Sequence, residues 1–226
     1  MKSSVKEIVI FTLVLIVLLS LFQFTLKKGV TFSYSDQTGK VNRIFNHVIK
    51  NDIVVFGPSV AEVGINANML SKKLNKSVCN LAIDGTAFPQ YKCLVEELAD
   101  YSTETKYVLF AITYFDFTQS RLTEPSRFYA HLDNPYVYAA LKNIDDDKII
   151  KMRYVPFYSI TQYSHLFYKN SALGWKNYFA HTKPIDTLNG WVPHYNKFIN
   201  TLTAVDSSKV FLSLDSVQIN SFLKLK

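Results

Sequence analysis

Residues 8–26 form a run of nineteen residues without a charge, broken only by the polar Thr12, Ser20, Gln23 and Thr25. As a helix this run measures about 29 Å, enough to cross the hydrocarbon core of a bilayer. A cleaved leader is the competing reading. However, the apolar region exceeds the usual ~7–15 residues of a leader, and Phe22-Gln23-Phe24-Thr25-Leu26-Lys27-Lys28 offers no A-x-A-like small-residue site. The sequence therefore predicts an uncleaved anchor over 1–28, a single-pass membrane helix. Lys2 and Lys6 before the run are balanced by Lys27 and Lys28 after it, so the positive-inside bias does not orient it.

The second constraint is Asp52-Ile53-Val54-Val55-Phe56-Gly57-Pro58-Ser59-Val60-Ala61-Glu62, which reads as strand, sharp turn and helix. A serine at the carboxyl end of a buried parallel strand is presented where ligands of open α/β sheets bind. That makes Ser59 a candidate nucleophile. A purely structural alternative stands beside it: Ser59 and Glu62 have the S-x-x-E spacing of a capping box, in which the hydroxyl accepts a backbone N–H at the helix start.

Along the chain, residues 29–40 are rich in Ser, Thr, Gly, Tyr and Asp and read as a short tether without a core. Val41, Ile44, Phe45, Val48 and Ile49 then fall on one helical face, ending at Lys50-Asn51. A helix over 66–74 carries Met69, Leu70 and Leu74, and Ser77-Val78-Cys79-Asn80-Leu81-Ala82-Ile83 is a second apolar run closed by Asp84-Gly85. A helix over 88–98 presents Phe88, Tyr91, Val95 and Leu98 on one face, and residues 106–112 read as a third strand. Apolar strands alternating with amphipathic helices imply a parallel sheet covered on both faces. From Tyr114 to about Pro193 the alternation gives way to an aromatic, proline-divided helical segment, an insertion packed over the strand ends. Helical spacing returns at Tyr195, Phe198, Ile199, Leu202 and Val205, and Lys209-Val210-Phe211-Leu212-Ser213-Leu214 is a fourth strand ending at Asp215.

A first strand ending in Gly-x-Ser, a second ending in Asn-Leu-x-x-x-Gly and a third ending in the aromatic, acidic turn Thr113-Tyr114-Phe115-Asp116 together resemble the SGNH (GDSL-like) hydrolase superfamily. They look most like its membrane-anchored, cell-envelope branch, associated with acylation of surface polymers. The resemblance covers about 52–117 and extends beyond only through element order. It implies a three-layer, flavodoxin-like α/β domain over 41–226, with 114–193 inserted, facing the extracytoplasmic side. It further implies Ser59 as nucleophile and the Ser59 and Gly85 amides as two of three oxyanion donors, aimed at the charge of a tetrahedral intermediate. The implied activity is a serine esterase or O-acyltransferase on a cell-envelope polysaccharide, working with a membrane-bound O-acyltransferase and needing no cofactor.

The chain departs from the pattern at three places. Pro58 replaces the aspartate of Gly-Asp-Ser, and Phe115 stands where the family has its third oxyanion donor, an asparagine. Where Asp-x-x-His would supply the base, Asp215-Ser216-Val217-Gln218 ends in glutamine. A serine needs an adjacent base to attack at neutral pH. His194 is the best remaining histidine and Asp116 a possible accessory group. The sequence leaves two readings open. Either the chain is an incomplete envelope enzyme whose base lies beyond residue 226, or it is a non-catalytic SGNH-like module that binds a glycan or a membrane partner.

Other groups carry less. Cys79 and Cys93 lack metal or redox spacing and read as buried thiols. The net charge of +7 comes from dispersed lysines, and no nucleic-acid motif accompanies them. Asp145-Asp146-Asp147 lacks the alternation of a calcium loop and reads as a loop or helix start. Trp175 and Trp191 could stack on sugars, although aromatic residues at helical spacing more often face a core or a partner.

Overall fold

The computed structural model describes residues 2–86, 88–113, 116, 125–182 and 189–193. In chain order the elements are α1 (Lys2–Thr31), α2 (Asp36–Phe45), β1 (Ile53–Phe56), α3 (Ser59–Gly64), α4 (Ala67–Leu74), β2 (Val78–Asn80), α5 (Phe88–Tyr101), β3 (Tyr107–Phe110), a 3-10 helix (Pro125–His131), α6 (Pro135–Lys142), α7 (Asp146–Tyr154), α8 (Tyr158–Gln162) and α9 (His165–Phe179). They fall into two compact units: residues 1–46 with 125–184, and residues 47–124 with 185–226.

The second unit contains a three-stranded parallel sheet in the order β2-β1-β3. Ile53, Val54 and Val55 of the central β1 pair with Val78, Cys79 and Asn80 on one side. On the other side, Ile53 through Phe56 pair with Tyr107 through Phe110. All four residues of β1 and all three of β2 are buried, as continuous apolar runs in a parallel sheet require. Ile53, Val55, Val78 and Ala67 form one core cluster, against which Ile65 and Leu70 pack. The chain is thus α/β with a small parallel sheet.

β3 departs from the expected burial on both faces. Tyr107 and Leu109 on alternate positions are exposed, so one face of this strand is open to solvent. α4 turns inward through Ala67 and Leu70, whereas Met69 and Leu74, expected on its apolar face, are exposed. Cys79 and Cys93 are buried free thiols, and burial pushes the Cys93 thiol far above its ordinary value. The fourth strand over 209–214, the helical spacing over 195–205, Asp215 and Gln218 lie outside the described residues.

In the helical unit, α1 is long and apolar enough to cross a membrane. Its apolar side chains from Val5 to Phe24 are largely exposed, with Phe11 and Phe24 at 68% and 64%, so this stretch is not a core helix of the unit. The stretch 29–40, expected to be a coreless tether, is helical over most of its length. α1 continues through Thr31, α2 opens at Asp36, and Val30, Ser33 and Thr38 are buried. The physical reason is polar rather than apolar. Asn42 Nδ2 donates to the carbonyls of Val30 (2.6 Å) and Ser33 (2.8 Å), and Asn46 Nδ2 donates to Thr31 (2.9 Å). These bonds add side-chain donors to carbonyls at and just past the end of α1, where the helix itself supplies few. α2 in turn ends at Phe45, earlier than the apolar stripe suggests, and His47 takes a left-handed conformation at φ 56°. Val48 is consequently exposed, while Ile49 is buried.

The aromatic segment belongs largely to this helical unit, with α1 and α2. Its helices start on side-chain caps as the sequence chemistry demands: Asn134 accepts from Tyr136 and Val137, Asp145 from Lys148, and Ser164 from Phe167. Asp145-Asp146-Asp147 is accordingly the N-terminus of α7.

Candidate active-site turn

Gly57 ends β1, and the chain turns at Pro58 directly into α3. A Cβ at Gly57 would come within 2.8 Å of both the Ala61 Cβ and the Ala111 carbonyl oxygen, so only glycine permits this approach of strand end and helix. The N-cap of α3 is Pro58, whose carbonyl takes the N–H groups of both Ala61 (2.9 Å) and Glu62 (3.1 Å). Ser59 is therefore the first helical residue rather than the cap, and the capping box does not form. The Ser59 side chain is half-buried at the carboxyl end of the central strand.

The second loop runs beside the first. Past the end of β2, the Leu81 amide donates to the Val55 carbonyl (2.8 Å) and the Ile83 amide to the Gly57 carbonyl (3.0 Å). This pairing carries the chain to the Asp84-Gly85 turn. Gly85 sits there at φ 64°, a left-handed conformation that side-chain-bearing residues adopt reluctantly. Thr86 closes the turn through Oγ1, which donates to the Ile83 carbonyl at 2.5 Å.

Asp116 is buried. Its carboxylate accepts from the Thr113 amide (2.6 Å) and the Thr113 hydroxyl (2.9 Å), which fixes the turn after β3. Tyr91, on α5, links this turn to the Gly85 loop: its hydroxyl lies 3.1 Å from the Thr86 carbonyl and 3.5 Å from Asp116 Oδ1. Burial pushes the Tyr91 phenol far above its ordinary value, so it remains a protonated donor throughout the physiological range.

α3 is six residues long, too short to satisfy its own backbone, and residues distant in sequence complete it. Asn80 Nδ2 donates to the carbonyls of Ala61 (2.9 Å) and Ile65 (2.8 Å), while Asn80 Oδ1 accepts from the Ala82 amide (3.0 Å). Residues 189–193 bind the same helix end. The Trp191 indole donates to the Val63 carbonyl (2.6 Å), the Val192 amide to Glu62 (3.2 Å), and the Asn189 carbonyl accepts from the Asn80 amide (2.8 Å). A Cβ at Gly190 would overlap the Asn80 carbonyl oxygen. Trp191 thus has a hydrogen-bonding duty at α3 that its sequence context does not reveal. The one available signal for Asn80 was a lone amide inside the apolar run 78–83, since a buried polar group in a strand needs partners.

Of the sequence-derived site residues, Ser59 opens α3 just past the carboxyl end of β1, Gly85 lies on the loop past the end of β2, and Asp116 on the turn after β3. Phe115 and His194 lie outside the described residues. Among the described residues of this unit the histidine is His47. Its Nε2 lies 2.8 Å from Glu97 Oε1, and its ring stacks on Tyr101 at 4.2 Å. Tyr101 ends α5, the helix that leads from the Gly85 loop towards the start of β3, so His47 lies towards the amino-terminal ends of the strands, whereas Ser59 follows the carboxyl end of β1. His131, His165 and His181 belong to the helical unit. Among the described residues no three His, Cys, Asp or Glu side chains cluster as a metal site.

Comparison of the chain with family profiles, with curated proteins and with solved structures finds no match.

Proposed function

We propose that the chain is a single-pass membrane protein whose sheet unit is an SGNH-like serine esterase or O-acyltransferase, acting on a cell-envelope polysaccharide or a related acylated polymer. One observation carries this reading: Ser59 follows the central parallel strand directly, is half-buried, and is relieved of the capping role by Pro58. In the proposed reaction Ser59 Oγ attacks the acyl carbonyl carbon, and its proton passes to a base. The amides of Ser59 and Gly85 donate to the resulting oxyanion until the alcohol leaves. His194 is the proposed base, because it follows in sequence on residues 189–193, which are bonded to the Ser59 helix. Asp116 supports the third loop. Acyl transfer of this kind needs no cofactor, and the anchor suits a reaction at a membrane with a membrane-bound O-acyltransferase as partner.

The second reading, a non-catalytic SGNH-like module binding a glycan or a membrane acyltransferase, is favoured by the position of His47, which is paired with Glu97 towards the amino-terminal ends of the strands. A fluorophosphonate probe separates the two. The enzyme reading expects the full chain in membranes to be labelled on the peptide containing Ser59, and Ser59→Ala to lose that label. A folded protein that takes no label, or whose labelling is unchanged by Ser59→Ala, overturns it and leaves the binding module.

A further inference from the structure

The aromatic end of α9 has no part in the Ser59 chemistry, yet it is built against the anchor helix. Trp175 donates its indole N–H to the carbonyl of Thr25 at 3.0 Å. A Cβ at Gly174 would overlap the Gly29 carbonyl oxygen, so the two backbones touch where these glycines meet. Nearer the start of α9, Asn170 bonds to Ser35 Oγ and Thr38 Oγ1 at 2.8 and 2.9 Å. From Asn170 to Trp175 the partners on the first segment thus run backwards, from Thr38 to Thr25. Trp175 thus opens the last turn of α9 against Thr25, at the end of the apolar run, and within that turn Asn177 Nδ2 donates to the Phe32 carbonyl at 3.4 Å.

That last turn is aromatic and exposed. Phe179 stacks on Trp175 at 5.7 Å, Tyr178 stacks on Phe32 at 4.5 Å, and Trp175 meets Phe32 edge-on at 5.4 Å. Phe179 and Tyr178 are 73% and 52% exposed. The cluster lies at the level where the uncharged run stops, since Thr25 is followed by Leu26, Lys27 and Lys28. Lys28 sits 5.1 Å from the Phe32 ring centroid, and Lys176 is exposed on the same turn of α9. Amphipathic rings beside lysines at the end of an apolar span match the chemistry of a membrane–water boundary, where Trp and Tyr anchor and lysines meet anionic headgroups.

We infer that the C-terminal turn of α9, with Trp175, Tyr178 and Phe179, inserts into the headgroup–acyl boundary beside α1 as a second membrane contact of the helical unit. This rests on the reading of α1 as a membrane span. Phe179 stacks on Trp175, and Trp175 is bonded to the span at Thr25, so one occupant, a lipid bilayer with anionic headgroups, covers both. The Gly29–Gly174 approach and the Trp175 bond fix the depth of the turn relative to the span.

The chain has two tryptophans, so Trp191→Phe leaves Trp175 as the only indole reporter. The full-length variant is reconstituted into phosphatidylcholine–phosphatidylglycerol vesicles carrying bromine either near the carbonyl end or near the methyl end of the acyl chains, and co-flotation is scored in parallel. Co-flotation with strong quenching by the shallow bromines and weak quenching by the deep ones is the expected result. Phe179→Glu should reduce the shallow quenching at least twofold while the protein still floats. Co-flotation with no quenching overturns the inference and leaves the anchor intact. Failure to co-float overturns the anchor reading and the inference with it. If Trp191→Phe does not fold, the difference between the wild-type protein and Trp175→Phe gives the same readout.

Discussion

Each unit closes a helix end with a buried asparagine, and the two asparagines differ in one partner. Asn80 donates to the Ala61 and Ile65 carbonyls at the end of α3, and its oxygen accepts from a backbone amide, that of Ala82. Asn42 donates to the Val30 and Ser33 carbonyls at the end of α1, and its oxygen lies 2.8 Å from His131 Nε2. With both amide protons of Asn42 committed to carbonyls, its oxygen is the acceptor, and the Nε2 of His131 carries the hydrogen. The Asn80 clamp is therefore insensitive to pH. The Asn42 clamp is tied to a titratable ring, stacked on Phe45 at 4.4 Å, whose pKa burial lowers to about 3, with Lys27 pushing it further down and Asp133 opposing. The same side chain thus gives one permanent junction and one that acid can load.

Removing Asn80 should have the largest effect, because Asn80→Ala takes the side-chain donor from the Ile65 carbonyl and leaves the Ala61 carbonyl with the Ile65 N–H alone. An unsatisfied buried acceptor costs about 1–3 kcal/mol, so about 2 kcal/mol of local stability is expected to go. Hydrogen exchange of the amides from Ala61 to Ile65 should accelerate about 30-fold. Unchanged exchange in that segment would mean that residues 189–193 alone hold α3.

The contrast with Asn42 sharpens in the pH dependence. His131 is held neutral in the folded chain, with its pKa lowered from 6.5 to about 3, so between these values the unfolded chain binds a proton that the folded chain does not. Stability from this group is full above pH 6.5 and falls as pH drops towards 3, by at most about 1.4 kcal/mol per pH unit. Because the side chain keeps partial solvent contact, the observed slope should be shallower. His131→Gln keeps a donor for Asn42 without a titration. The difference in melting temperature between the two proteins in detergent should narrow steadily from pH 7 to 4, and a constant difference would remove His131 as the sensitive element.

The smallest expected effect separates Asn80 from its auxiliary. Trp191→Phe deletes one hydrogen bond, to Val63, and keeps the ring, so it should cost about 1 kcal/mol. Exchange at the end of α3 should rise about fivefold, well below the Asn80→Ala effect. Parity between the two variants would make residues 189–193 the principal clamp.

Several features were legible in the residues because they are local. The uncharged run gives α1, the apolar runs give β1 to β3 in chain order, and Asp145 caps α7 as its neighbours suggest. Ser59 and Gly85 were legible as residues just past the ends of strands. The capping box was misread because Pro58, extended at ψ −173° and accepting the Ala61 and Glu62 N–H groups at its carbonyl, takes the cap position one residue earlier. The tether over 29–40 was misread because a polar composition says nothing about distant amides, and Asn42 and Asn46 supply the partners that make it part of a packed unit. Tyr91 appeared only as a core position, since its hydroxyl bonds depend on loops 5 and 25 residues away.

By itself, then, the sequence determined what depends on neighbours along the chain: a helix long and apolar enough to cross a membrane, parallel-strand character in short apolar runs, and a serine directly after the first of them. Tertiary structure decided which helix ends are closed and by whom. It placed Asn80 and Trp191 on α3, Asn42 and His131 on α1, and the aromatic turn of α9 beside Thr25. The reason is that an orphaned carbonyl at a helix end accepts from any donor that reaches it, whatever the sequence separation, so only the folded chain selects the partner.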